Sequence, residues 1–313
     1  MHPALSVIFF TTISGAGYGL AFLLALGLGD PSATSTKLAW FVALAMIALG
    51  LAFSTLHLGN PQRAWRAFSQ WRSSWLSREG CMAIITFVPL VALAAMSLFG
   101  DSYSLILGLI AAACCAFTVY CTAMIYASLR TVATWHTPLT AACYLAFSLS
   151  LGLLIYLGFF TGTSGGNSGL TLAAIIALFC AWAVKYFWAR RAGDIGYGES
   201  TMESATGLGH IGKVKLLERP HSMGNYLTNE MGFRIARKHN EMLWKITVLI
   251  GLFLPAVLLA FALALPGASV VFAALAAQCH LAGVFVERWL FFANAKHAVG
   301  LYYGGEDGLA PAE

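Results

Sequence analysis

An all-α integral membrane protein is what this sequence encodes: eight transmembrane helices, with one long cytoplasmic connector between helices six and seven. Hydrophobic residues make up 59% of its 313 residues and charged residues only 10%, where a soluble domain carries roughly a quarter charged. The apolar residues gather into runs long enough for a bilayer core, which takes about 20 residues per helix. Short alternating segments of the barrel type are absent, so each span must satisfy its own backbone as a closed helix. The whole chain, 1–313, reads as a single polytopic membrane domain.

The first run, 5–28, is expected to stay in the membrane rather than act as a cleaved leader. Its first charged residue is Asp30, so no basic stretch precedes it. Within it, Gly15, Ala16, Gly17 and Gly19 form a small-residue patch suited to close helix packing. Asp30-Pro31-Ser32 closes this span, and the second, 38–58, stops at Gly59-Asn60-Pro61. Runs 80–99, 104–128 and 139–160 follow. Thr163-Ser164-Gly165-Gly166-Asn167 separates the fifth from 168–189, and 243–265 and 269–294 complete the set.

The positive charges orient the bundle. Arg63, Arg66, Arg72 and Arg78 follow span two, and Arg130 follows span four. Span six ends with Lys185, Arg190 and Arg191, and span eight with Arg288 and Lys296. Alternating spans bring all of these to one side, and only Lys37 falls on the other. Lys and Arg stay in the cytoplasm, so both termini and every even-to-odd connector are expected there, in a prokaryotic inner membrane. The connector 190–242 adds Lys213, Lys215, Arg219 and Arg234 and is expected to dock a cytoplasmic partner. A solvated face against anionic lipid is the alternative for its basic end.

The seven cysteines all lie in apolar runs without CxxC or His/Cys spacing, so no metal, iron–sulfur cluster or disulfide framework is assigned. Nucleotide-loop, HExxH and GxSxG motifs are missing, no residue is assigned a catalytic role, and nothing points to nucleic acid. Haem ligation by two histidines needs a matched deep pair, and only His280 is deep.

The stretch Ser54–Gly80 gathers four arginines, three tryptophans, His57 and Glu79 into one connector. His57 either caps the end of span two or bonds a ligand oxygen and passes protons. Glu79 either favours its helix start electrostatically or accepts a proton at the interface. Trp65, Trp71 and Trp75 fit an interfacial aromatic belt, and with the arginines they suit a planar ligand. In span eight, His280, Glu287 and Asn294 are spaced by seven and share one face. That stripe is either a structural network between helices or a proton path through Glu287 and His280.

Ser54-Thr-Leu-His57-Leu-Gly-Asn-Pro61-Gln-Arg63-Ala-Trp65, with Trp75-Leu-Ser-Arg78-Glu79, resembles the membrane anchor subunit of the dimethyl sulfoxide reductase family. Thr131-Val-Ala-Thr-Trp135-His-Thr-Pro138, and Glu287-Arg288 with Phe291-Phe292 and His297, look similar to the same family. The resemblance implies a haem-free eight-helix subunit that anchors a molybdopterin catalytic subunit and a four-cluster iron–sulfur subunit. It implies electron exchange with menaquinone or ubiquinone, with the family's site histidine falling on His57 and its glutamate on Glu79. Arg63, Trp65, Trp75 and Arg78 would complete that pocket; Arg66, Arg72, Lys213, Lys215, Arg219 and Arg234 would meet the partner. The long connector departs from dimethyl sulfoxide reductase anchors and looks more like anchors of cytoplasmic sulfite-oxidising quinone reductases. A transporter, or a scaffold without a quinone site, is the alternative reading. The outer halves of the spans hold almost no ionisable residues, which argues against a transporter.

Overall fold

The computed structural model describes residues 4–56, 60–160, 168–218 and 239–303. Among them are eight helices long and apolar enough to cross a membrane, and no strand. We label these α1 (Leu5–Ala25), α2 (Thr34–Leu56), α3 (Trp75–Gly100), α4 (Leu105–Ala127), α5 (Pro138–Phe160), α6 (Ser168–Ile195), α7 (Asn240–Ala264) and α8 (Ser269–Ala293). Several helices run past the apolar stretches that announce them. α3 starts at Trp75 because the Ser74 hydroxyl caps it, accepting from the Ser77 amide at 3.4 Å. α6 continues through Arg190, which is exposed, and Arg191, which donates to the Ala133 and His136 carbonyls, while the backbone stays helical.

The helices form two quartets, α1–α4 and α5–α8, closed in the same way. In each, the first helix packs on the second and the fourth, and the third packs on the fourth. Among neighbours around each quartet the second and third touch least, which leaves a seam between α2 and α3 and another between α6 and α7. α1 and α5 pack face to face and join the quartets. Small residues make that crossing possible. A Cβ on Gly19 would overlap the Ser148 carbonyl oxygen, and one on Gly152 would overlap the Gly19 backbone. The Ser148 hydroxyl donates to the Gly15 carbonyl at 2.6 Å across the same contact.

α1 and α7 each contain a π-helical turn, Phe10–Ser14 and Leu249–Phe253. The cause in α7 is local. Pro255 has no amide hydrogen to offer the carbonyl of Gly251, four residues earlier. That carbonyl accepts instead from Trp182 Nε1 of α6 at 2.9 Å and from His280 Nδ1 of α8 at 2.7 Å. At the end of the bundle opposite the arginines, Lys37 pairs with Asp101 at 2.7 Å. Asp101 ends α3 in the left-handed conformation at φ 45°.

Candidate functional site

The connector after α2 folds as a 3₁₀ helix, Pro61–Gln70, one side of which is basic and aromatic. Trp65, Phe68 and Trp71 are exposed, with Arg66 over the Trp65 ring and Arg72 over the Trp71 ring. Phe68 lies against the start of α3, where a Cβ on Gly80 would meet its ring at 3.3 Å. Arg78 fastens the connector to α3. Its guanidinium donates to the Trp71 carbonyl at 2.9 Å and the Arg72 carbonyl at 2.6 Å, and stacks 4.2 Å over Trp75. Trp75 in turn meets Tyr120 of α4 edge-on at 5.9 Å.

One turn into α3, Glu79 points inward. It is 4% exposed, and its Oε1 has no hydrogen-bond partner among the described residues. A buried carboxyl oxygen in that position is costly unless it serves a ligand, water or a proton. Arg63, Trp65, Trp75 and Arg78 lie on the connector or the first turn of α3, around the same end of the α2–α3 seam. His57 lies outside the described residues, as do Arg219 and Arg234. Lys213 and Lys215 lie on an irregular stretch after the short helix Met202–Thr206. Glu203 of that helix accepts from the Val214 amide at 3.0 Å and holds the stretch in place.

The stripe on α8 does face into the bundle, and every member of it is engaged. His280 is fully buried; its Nδ1 carries the hydrogen, because the Gly251 carbonyl can only accept. Its Nε2 meets the Ser150 hydroxyl of α5 at 2.9 Å. Asn294 donates to Asn240 at the start of α7, at 2.7 Å. Glu287 is met by Lys185 of α6 at 2.5 Å and by Arg288 Nε at 2.7 Å, all three 3% exposed or less. Through these contacts α8 is joined to α6 at Lys185 and to α7 at Gly251 and Asn240.

Lys185 is the residue that sequence reasoning misplaced. It counts there among the charges at the basic end, whereas its ammonium turns inward, 3.5 Å over the Trp188 ring. The available signal was its setting, Ala183-Val184-Lys185-Tyr186-Phe187-Trp188, a cation with apolar residues on both sides. Trp188 donates to Thr140 of α5 at 3.0 Å. Trp135 stacks on Phe291 at 5.2 Å and donates to its carbonyl at 3.1 Å. The Thr131–Pro138 and Glu287–His297 stretches therefore pack on each other. Between the quartets, Thr12, Tyr18, Tyr144 and Arg288 line a chamber of about 20 Å³, room for a single water.

Comparison with known proteins places this architecture. The profile of the DMSO reductase anchor subunit (DmsC) family matches residues 1–294. The chain belongs to the DMSO reductase anchor family. This anchor is 30% identical to the C-subunit of the sulfite dehydrogenase from Allochromatium vinosum, across 97% of this chain and 99% of that one. No solved structure matches it. Family membership supports a multi-pass membrane anchor of a molybdoenzyme complex that associates with catalytic and iron–sulfur subunits.

Proposed function

We propose that this anchor exchanges electrons between the quinone pool and the iron–sulfur subunit of a sulfite-oxidising molybdoenzyme, at the basic end of the α2–α3 seam. The observation that carries the reading is Glu79, a buried carboxyl with an oxygen unpartnered among the described residues, one turn after a connector of arginines and tryptophans. A quinone fits this set, because its ring oxygens need a hydrogen-bonding group at the protein's edge and its ring suits flat aromatic neighbours. When bound, it supplies a carrier for two electrons and two protons. Menaquinone and ubiquinone satisfy the same contacts.

In this reading His57 hydrogen-bonds one ring oxygen and orients the ring. Glu79 holds and releases the protons that accompany the electrons, from a position shielded from bulk water. Arg78 keeps the connector closed over that position through the Trp71 and Arg72 carbonyls. Arg63, Arg66 and Arg72, with exposed Trp65 and Trp71, form the face that meets the iron–sulfur subunit; Lys213, Lys215, Arg219 and Arg234 extend it. Molybdopterin and the iron–sulfur clusters reside in the partners, and the anchor itself is haem-free. Both termini are cytoplasmic, following the arginines and lysines, so proton exchange occurs on the same side as the partner subunits.

The test is His57→Gln and Glu79→Gln in the assembled complex. Each is expected to lower quinone-linked turnover by about 10²-fold or more, the usual scale for a lost proton-transfer group. Sulfite oxidation with a soluble electron acceptor should hold at the parent rate. Wild-type quinone-linked turnover in both variants would refute the site and leave a scaffold without a quinone site.

A further inference from the structure

Eight polar side chains line the chamber between the quartets. Four of them are engaged with backbone carbonyls. Thr11 donates to Val7 at 2.9 Å, Ser14 to Phe10 at 2.5 Å, Thr122 to Thr118 at 3.1 Å and Ser148 to Gly15 at 2.6 Å. The other four are Thr12, Tyr18, Tyr144 and Arg288. Thr12 Oγ1, the two tyrosine hydroxyls and Arg288 Nη1 are buried and have no hydrogen-bond partner among the described residues. None of these four residues is more than 6% exposed. They come from three helices and from both quartets: Thr12 and Tyr18 from α1, Tyr144 from α5 and Arg288 from α8. Thr12 sits on the π-helical turn of α1, a rare local geometry that is frequent at functional sites.

Unmet polar atoms are rare in protein interiors, and four around one space call for a common partner. The volume limits what that partner is. A water needs about 10–15 Å³ of such space, and the chamber offers about 20 Å³, so it admits one water and no second. The bonding also balances. Arg288 Nη1 can only donate, whereas each hydroxyl donates or accepts. A water there accepts from Arg288 and from one hydroxyl and donates to the other two, which completes its set of partners. The adjoining space is a contrast. An apolar cavity of about 150 Å³, lined by Phe22, Cys115, Leu145 and Leu149 among others, gives a water little to bond. Tyr18 lines both spaces and divides the polar one from the apolar one.

We infer that the chamber binds one water, held by Thr12, Tyr18, Tyr144 and Arg288, and that this water is a polar joint between the two quartets. Arg288 then serves two partners. Its Nε meets Glu287 at 2.7 Å, and its Nη1 meets the water. The Glu287 network of the second quartet is thereby connected to α1 of the first. The joint adds to the Ser148–Gly15 bond at the α1–α5 crossing. The site does not depend on the quinone reading.

The experiment is radiolytic hydroxyl-radical footprinting of the complex in mild detergent, read by mass spectrometry. A bound water generates radicals where bulk solvent does not reach, so Tyr18 and Tyr144 should be oxidised several-fold faster than Tyr156. Tyr156 is the control, because it is just as buried, at 4% exposure, and lies outside the chamber. Thr12→Val with Tyr18→Phe keeps the shape of the wall and removes two of the four partners. In that double variant, oxidation of Tyr144 should fall to the Tyr156 level. Oxidation of Tyr18 and Tyr144 no faster than that of Tyr156 in the parent complex would overturn the inference. So would an unchanged rate at Tyr144 in the double variant. Should the double variant fail to assemble, Thr12→Val alone is compared, with a reduced rate at Tyr18 and Tyr144 expected and an unchanged rate overturning the inference.

Discussion

Replacing Glu287 by glutamine leaves two cations buried side by side. Lys185 and Arg288 lie 2.5 and 2.7 Å from its two oxygens, and none of the three side chains is more than 3% exposed. Removing one partner of a buried pair costs about 3–5 kcal/mol, because the survivor stays desolvated without a counter-charge. Here two survivors also repel each other, so Glu287→Gln should fall at the top of that range. Lys185→Met is a different perturbation. It leaves Glu287 with Arg288 as a neutral pair and removes one desolvated ammonium. What it loses is the contact with Glu287 and the cation–π contact at 3.5 Å to Trp188, the latter worth about 2 kcal/mol when desolvated. Its net cost should be about 0–2 kcal/mol. At about 2–4 °C per kcal/mol for chains near this size, Glu287→Gln lowers the midpoint by roughly 10 °C or more. Lys185→Met lowers it by less than about half of that. The double variant should recover part of the Glu287→Gln loss, since one of the two stranded cations is gone. Heating steps followed by fluorescence-detected size-exclusion chromatography of the complex give the midpoints. Equal losses in the two single variants, or a larger loss in Lys185→Met, would refute the charge argument.

Three further outcomes are expected. Gly19→Ala should destabilise by about 1–3 kcal/mol or more, since its Cβ would overlap a backbone oxygen; Gly15→Ala, with nothing within 4 Å, should stay within about 0.5 kcal/mol, and thermal midpoints of the pair check both. His280→Ala should cost about 1–3 kcal/mol while turnover per assembled complex is unchanged; a drop in turnover at intact stability would instead give His280 a part in proton movement. His297 lies beyond the end of α8, and burial lowers its pKa from 6.5 to about 4. Its neutral form is therefore the folded form, so its contribution is complete above pH 6.5 and declines as the pH falls toward 4. Unfolding midpoints at about pH 7.5, 6 and 5 should show this slope, and His297→Gln should flatten it.

All eight spans were legible, because bilayer thickness imposes a length and a hydropathy that few other constraints override. The ends were less so. Charged residues stop an apolar run but not a helix, which is why α6 reaches Ile195 and α3 begins at Trp75. The stripe His280–Glu287–Asn294 was legible as one face from its spacing, but its partners were not. Lys185, Gly251 and Asn240 sit on other helices, and no local period links them to α8. Nor did the sequence reveal the two matching quartets, since their likeness lies in which helices touch rather than in which residues recur. Glu79 was found because a lone carboxylate at a span's edge is conspicuous, while its burial depends on how α3 packs within the first quartet, which no local pattern announces.

The order in which the chain is made adds a consequence to the Lys185–Glu287 contact. α6 leaves the ribosome carrying a cation within its apolar stretch, and the carboxylate that neutralises it arrives only with the last span. A lysine at the centre of an inserting helix costs about 2.5–3.5 kcal/mol, and Lys185, nearer the end of its apolar stretch, costs less than that. α7 waits for the same event, holding its unbonded Gly251 carbonyl to Trp182 until His280 is delivered. Two helices are thus provisional until a third, α8, is translated. A chain cut short before α8 would present the cell's quality-control proteases with an intramembrane charge and an unlatched helix, whereas one that reaches its last span closes on both at once.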